Sequence, residues 1–130
     1  MKHPEKWQEF IHRKEEQFQK ELDNRTSINM KDIGRKGSHQ FLRVAWTFMV
    51  QHNLPQKVFL VERMERVGKK GKIAYTKRRH AEAEYRIGYY ILGRIGHMRN
   101  RWAWGQFCPI IPLEDFQNLL NKGKKEKTIL

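Results

Sequence analysis

From Ala81 onward the chain alternates. Ala81, Ala83, Tyr85, Ile87, Tyr89 and Ile91 fall on one side of an extended backbone, and Glu82, Glu84 and Arg86 fall on the other. Successive side chains point to opposite faces in a β-strand, so this stretch requires a sheet with one face turned to a core. The neighbouring segments supply partners. Val58, Phe59, Leu60 and Val61 form a β-type apolar run that continues into the charged residues 62–66. Gly68 to Lys72 reads as a turn, with residues 73–76 (Ile73, Ala74, Tyr75, Thr76) as the return strand. Residues 97–100 read as a second turn, and residues 101–107 as a last strand with Trp102 and Trp104 on one face. Gly88, Gly93 and Gly96 suggest bends or bulges along the way.

The flanks read as helices. In residues 4–23, Pro4 suits a first helical turn, and Trp7, Ile11, Phe18 and Leu22 recur at three-to-four-residue multiples with Phe10 beside them. Residues 24–37 carry turn-forming side chains and read as a linker. In residues 39–53, Ser38 is an N-cap candidate, and Phe41, Leu42, Ala45, Trp46 and Met49 form a stripe ending at Leu54-Pro55. Residues 113–121 read as a short helix after Pro112, with Glu114 and Asp115 in its first turn. The expectation is therefore an α+β fold, an antiparallel four-stranded meander with two N-terminal helices and one short C-terminal helix on one face. Residues 1–121 form the single domain, and the Lys-rich residues 122–130 form a basic flexible tail. Four Trp, four Tyr and seven Phe are enough to build a compact core in 130 residues.

Charge separates the function classes. Lys plus Arg number 27 against 14 Asp plus Glu, a net +13. Residues 57–101 carry 13 basic and 4 acidic side chains, whereas residues 1–56 carry 10 and 7. Such concentration repels itself in a compact state and marks a polyanion-binding segment. The candidate contacts are Lys69, Lys70 and Lys72 at the hairpin tip, Tyr75 on the return strand, Lys77, Arg78 and Arg79 at the next connection, and Arg94, Arg99 and Arg101 around the last hairpin. Alternate turns of a meander lie at opposite ends, so the first and third groups are expected together. Outward-facing Tyr75, Tyr90, Trp102 or Trp104 would add a stacking platform for unpaired bases; strand tryptophans are otherwise core residues.

The leading expectation is a nucleic-acid-binding protein, for DNA or RNA, with no catalysis and no cofactor. A second reading is a metal-dependent nuclease. His80, Glu82 and Glu84 share one strand face, and an imidazole with two carboxylates can hold a divalent ion beside a basic groove. The same glutamates otherwise pair with cross-strand cations. A third reading is an adaptor or inhibitor docking on an acidic protein surface, with a homodimer or partner contact through the N-terminal helix. One cysteine, Cys108, excludes an internal disulfide and a cysteine-based zinc finger. No P-loop or dinucleotide fingerprint is present. The helical stripes of residues 4–23 and 39–53 lie too far apart for a helix-turn-helix. No apolar run reaches the roughly 20 residues of a membrane span, and the first residues lack a secretory core. The expected location is the cytoplasm.

Overall fold

The computed structural model describes residues 3–32, 35–67, 83–105 and 107–130, with the side chains of residues 31–38 left aside. Helix α1 spans Trp7–Asp23. Strands β1 (Ile28–Asp32), β2 (Arg35–Gln51), β3 (Leu54–Arg66), β4 (Ala83–Leu92) and β5 (Trp102–Trp104) follow, and helix α2 (Leu113–Lys125) comes last. The described strands form one antiparallel sheet in the order β1-β2-β3-β4-β5, each next to its neighbour in sequence.

The α+β class and the antiparallel meander are as expected; the element count is not. Residues 39–53 lie in β2 and the turn after it rather than in a helix. Both faces of β2 are covered, so its apolar residues satisfy a period of 3.6 as readily as a period of 2. The residue types decide the outcome. Val44, Trp46, Thr47, Phe48 and Val50 are β-branched or aromatic and pack on a pleated surface. The segment expected as a linker contains β1, which pairs Ile28 with Phe41 and Met30 with His39. The expected return strand at residues 73–76 lies outside the described residues.

The helices occupy opposite faces of the sheet, not one. Phe10 and Phe18 of α1 pack with Phe48, Val58, Leu60 and Tyr90. Leu119 of α2 packs with Phe59, Val61 and Tyr89. Val58 and Leu60 alternate with Phe59 and Val61 along β3, and alternate residues point to opposite faces. All four are at most 1% exposed, so β3 is the buried centre of three layers. Burial of each such side chain stabilises the fold by about 1.5–3 kcal/mol.

Helix α2 runs beyond residue 121 to Lys125. The chain then turns through Lys127 at φ 62° and lies against the sheet. Thr128 is 1% exposed, and its hydroxyl meets that of Thr47 at 2.8 Å. Arg63 Nε donates to the Thr128 carbonyl at 3.1 Å, and the Leu130 amide donates to the Tyr85 hydroxyl at 2.9 Å. Residues 122–130 are thus packed against the body rather than trailing from it.

The other end of α2 is clipped to the β2–β3 turn. Asp115 in its first turn is buried and accepts the His52 backbone amide at 3.0 Å. The His52 ring bridges Asp115 Oδ2 at 3.0 Å and Glu114 Oε1 at 2.9 Å. The hydrogen bond to Asp115 raises the His52 pKa above its ordinary 6.5, and both carboxylate charges add to it. A raised folded-state pKa means that the protonated ring is favoured by folding. The clip's stability is therefore complete below pH 6.5 and lost as pH rises through the raised folded value. An NMR titration of His52 is expected to give a midpoint above 6.5 that Asp115→Asn returns toward the ordinary value. A wild-type midpoint at or below 6.5 would contradict the clip.

Candidate nucleic-acid interface

The carboxylates are spent inside the framework. Glu62 follows Val58 and Leu60 on the α1 face of β3 and is 0% exposed. It faces Arg86 across the β3–β4 pair. Arg86 donates from Nε to Glu62 Oε2 at 2.5 Å and from Nη2 to Oε1 at 3.1 Å. Arg43 donates from Nε to Glu62 Oε1 at 2.8 Å and from Nη1 to Glu21 Oε2 of α1 at 2.7 Å. Arg43 reaches this face because the β2–β3 register shifts between Arg43 and Ala45. The extra residue, Val44, reverses the alternation, so Arg43 shares a face with Trp46, Phe48 and Val50. The guanidinium of Arg43 lies 3.6 Å from the Phe18 ring centroid, and that of Arg86 lies 4.7 Å from a Trp104 ring centroid. Both cations are sandwiched between carboxylate and aromatic ring, a geometry that suits arginine. Burial, then the charge of Glu62, pushes the Tyr90 phenol up to about 12, so it stays protonated at neutral pH.

Other acids behave alike. Arg13 donates to both oxygens of Glu5 at 2.8 Å, and these bonds hold the Glu5 carboxyl below its ordinary pKa. Arg66 pairs with Glu84 at 3.3 Å and Arg63 with Glu65 at 3.9 Å. Lys122 pairs with Glu126 along α2. Arginines 13, 43, 63, 66 and 86, which build the framework, therefore each have a carboxylate partner.

The basic clusters lie elsewhere. Lys69, Lys70, Lys72, Tyr75, Lys77, Arg78 and Arg79 fall in residues 68–82, outside the described residues. Their anchor points are defined. Glu65 pairs with Ala83, so this connection leaves and rejoins the sheet at adjacent strand ends. It carries six Lys and Arg against one acid, Glu82, which adjoins Ala83 in sequence. Arg94, Arg99 and Arg101 are exposed in the β4–β5 hairpin, and residues 93–101 contain no acid. The hairpin sits at the other end of β4 from the long connection. The expected sharing of one end by the first and third groups falls on Lys69, Lys70 and Lys72, outside the described residues; the described anchors of the two connections stand at opposite ends of β4. With 10 residues in β4, the anchors stand about 30 Å apart.

Of the expected aromatic platform, Tyr75 lies outside the described residues and Tyr90, Trp102 and Trp104 pack at the α1 core. Trp102 stacks on Phe10 with centroids 4.6 Å apart, and its Nε1 donates to the Glu5 carbonyl at 2.8 Å. Trp104 packs edge-on against Tyr90 at 4.9 Å. These rings close the α1 core. Of the expected metal cluster, His80 and Glu82 lie outside the described residues, and Glu84 pairs with Arg66. Among the described residues no group of three His, Cys, Asp or Glu side chains could hold a metal ion, and no helix is long and apolar enough to cross a membrane. By contrast, residues 102–121 contain no Lys or Arg, and there Phe107, Ile110 and Leu113 are 81%, 81% and 94% exposed. Comparison of the chain with protein-family models, curated proteins and solved structures found no match.

Sequence reasoning passed over the Arg43–Glu62–Arg86 network. The signal was the shared parity of Glu62 with Val58 and Leu60, which places a carboxylate on a core face where it must find cations. It also passed over Ile95, a hydrophobic residue among the hairpin arginines that is 84% exposed.

Proposed function

We propose that this chain is a nucleic-acid-binding protein that grips the phosphate backbone through the connection of residues 68–82 and the hairpin of residues 93–101. The observation that carries this reading is the segregation of charge. The framework arginines have carboxylate partners, while the two connections carry nine Lys and Arg against one acid, Glu82. Cations kept apart from carboxylates are available to phosphates, whose condensed counterions are released on contact. The spacing of the anchors adds support. About 30 Å along β4 is close to one turn of a duplex, roughly 34–36 Å. A duplex lying beside β4 would meet basic side chains at each end. The parts of the sheet faces that α1 and α2 cover are not part of this surface.

Fluorescence anisotropy with labelled duplex DNA, single-stranded DNA and structured RNA tests the reading. Salt-sensitive binding is expected, strongest for duplex DNA because the tryptophans that would stack on single bases are in the core. Absence of salt-sensitive binding to all three would overturn the reading.

A further inference from the structure

The β4–β5 hairpin holds a combination that backbone gripping alone does not require. Its neck is closed by backbone hydrogen bonds from Gly93 N to Arg101 O at 2.8 Å and from Asn100 N to Gly93 O at 2.9 Å. The tip is a 3-10 turn over Gly96–Met98, closed by Arg99 N to Gly96 O at 3.2 Å and Arg101 N to Met98 O at 3.0 Å. A Cβ at position 93 would sit 2.1 Å from the Met98 carbonyl oxygen, so the neck closes this tightly only around glycine. Gly96 and Asn100 take the left-handed conformation at φ 62°, where these residue types are at home. The loop is therefore built to one shape. That shape presents Ile95, extended at φ −134° and ψ 157° and 84% exposed, in the same short hairpin as the exposed Arg94, Arg99 and Arg101.

We infer that Ile95 is a wedge that enters between base pairs from the minor groove of duplex DNA, steered and held by Arg94, Arg99 and Arg101. Aliphatic wedges flanked by cations unstack a base step and bend the duplex in architectural minor-groove proteins. An aliphatic side chain has no ring to stack on an unpaired base, so the chemistry of the tip selects a duplex over a single strand. Pyrimidine–purine steps such as TA unstack most easily, and sites containing them are favoured.

This inference rests on the nucleic-acid reading, and one experiment separates their failures. Duplex DNA about two turns long, carrying 2-aminopurine in its TA steps, is titrated with wild type, Ile95→Ala and the triple variant Arg94→Gln/Arg99→Gln/Arg101→Gln, following both anisotropy and 2-aminopurine fluorescence. Wild type is expected to raise the fluorescence as the probe unstacks. Ile95→Ala is expected to abolish that rise and weaken binding about tenfold, with the salt slope unchanged because no phosphate contact is lost. The triple variant is expected to lower the slope by about 2.7, as roughly 0.9 per phosphate contact. Ile95 is exposed, so unfolding of Ile95→Ala at the wild-type midpoint would confirm that the change acts on binding. Salt-sensitive binding with no fluorescence rise, or with Ile95→Ala indistinguishable from wild type, would overturn the wedge and leave the polyanion reading standing. No binding by wild type would remove both.

Discussion

Glu62→Ala is expected to destabilise the protein by about 3–5 kcal/mol, as removal of one partner from a buried ion pair does. Glu62 is wholly buried and takes hydrogen bonds from two arginines. Without it, Arg43, 7% exposed, keeps only Glu21, and Arg86 loses its carboxylate on the α1 face. Arg86 can turn partly toward water, since its side chain is 34% exposed. Arg43 is enclosed by Phe18 and the sheet and has no such exit, so most of the cost should come from its stranded charge. Urea unfolding should show a lower midpoint with an unchanged m-value. Glu62→Gln keeps the shape and one acceptor oxygen, so it should cost less than the alanine. A loss below about 1 kcal/mol for Glu62→Ala, within the range of an exposed pair, would mean that the network is not the electrostatic centre of the fold. Neither substitution touches the basic connections, so salt-dependent binding of the surviving folded protein should persist.

Neutralising the long connection should produce the largest change in binding. The variant Lys69→Gln/Lys70→Gln/Lys72→Gln/Lys77→Gln/Arg78→Gln/Arg79→Gln removes six charges from a stretch without acids. If each contacts a phosphate, the salt slope should fall by about 5, at roughly 0.9 per contact, with a correspondingly large loss of affinity at low salt. The folded framework should be unaffected, because the Glu62 network and both core clusters involve none of these residues. An unchanged unfolding midpoint would confirm this. Retention of the wild-type slope would move the interface away from residues 68–82.

Which parts of this structure could be read from sequence follows from how many faces each element buries. Strand β4 was legible because its alternation is sharp, and the start of α2 because Pro112, Glu114 and Asp115 mark it. Strand β2 was not, because Trp46 and Phe48 meet α1 while Thr47 meets Thr128 on the other face, which leaves no polar face to set a period. The unbroken run Val58-Phe59-Leu60-Val61 held the clue to the layers: four successive buried residues require cover on both sides, hence helices on both. Alternation misled on β4 itself. Tyr85, Ile87 and Ile91 remain partly exposed on the apolar-looking face, while Arg86 and Tyr90 on the other face are bound into the α1 core. The basic segments were legible as composition, but their anchoring at opposite ends of β4 depends on strand pairing that local sequence does not encode.

The basic connections anchored at the two ends of β4, with Glu82 their single acid, are proposed to meet phosphates. The most direct test is the slope of log K against log salt concentration for wild-type protein on one duplex of about two turns. Nine connection cations are present, and contacts by six or more of them would give a slope of about −5 or steeper. A slope near zero, or no measurable binding at low salt, would contradict the account.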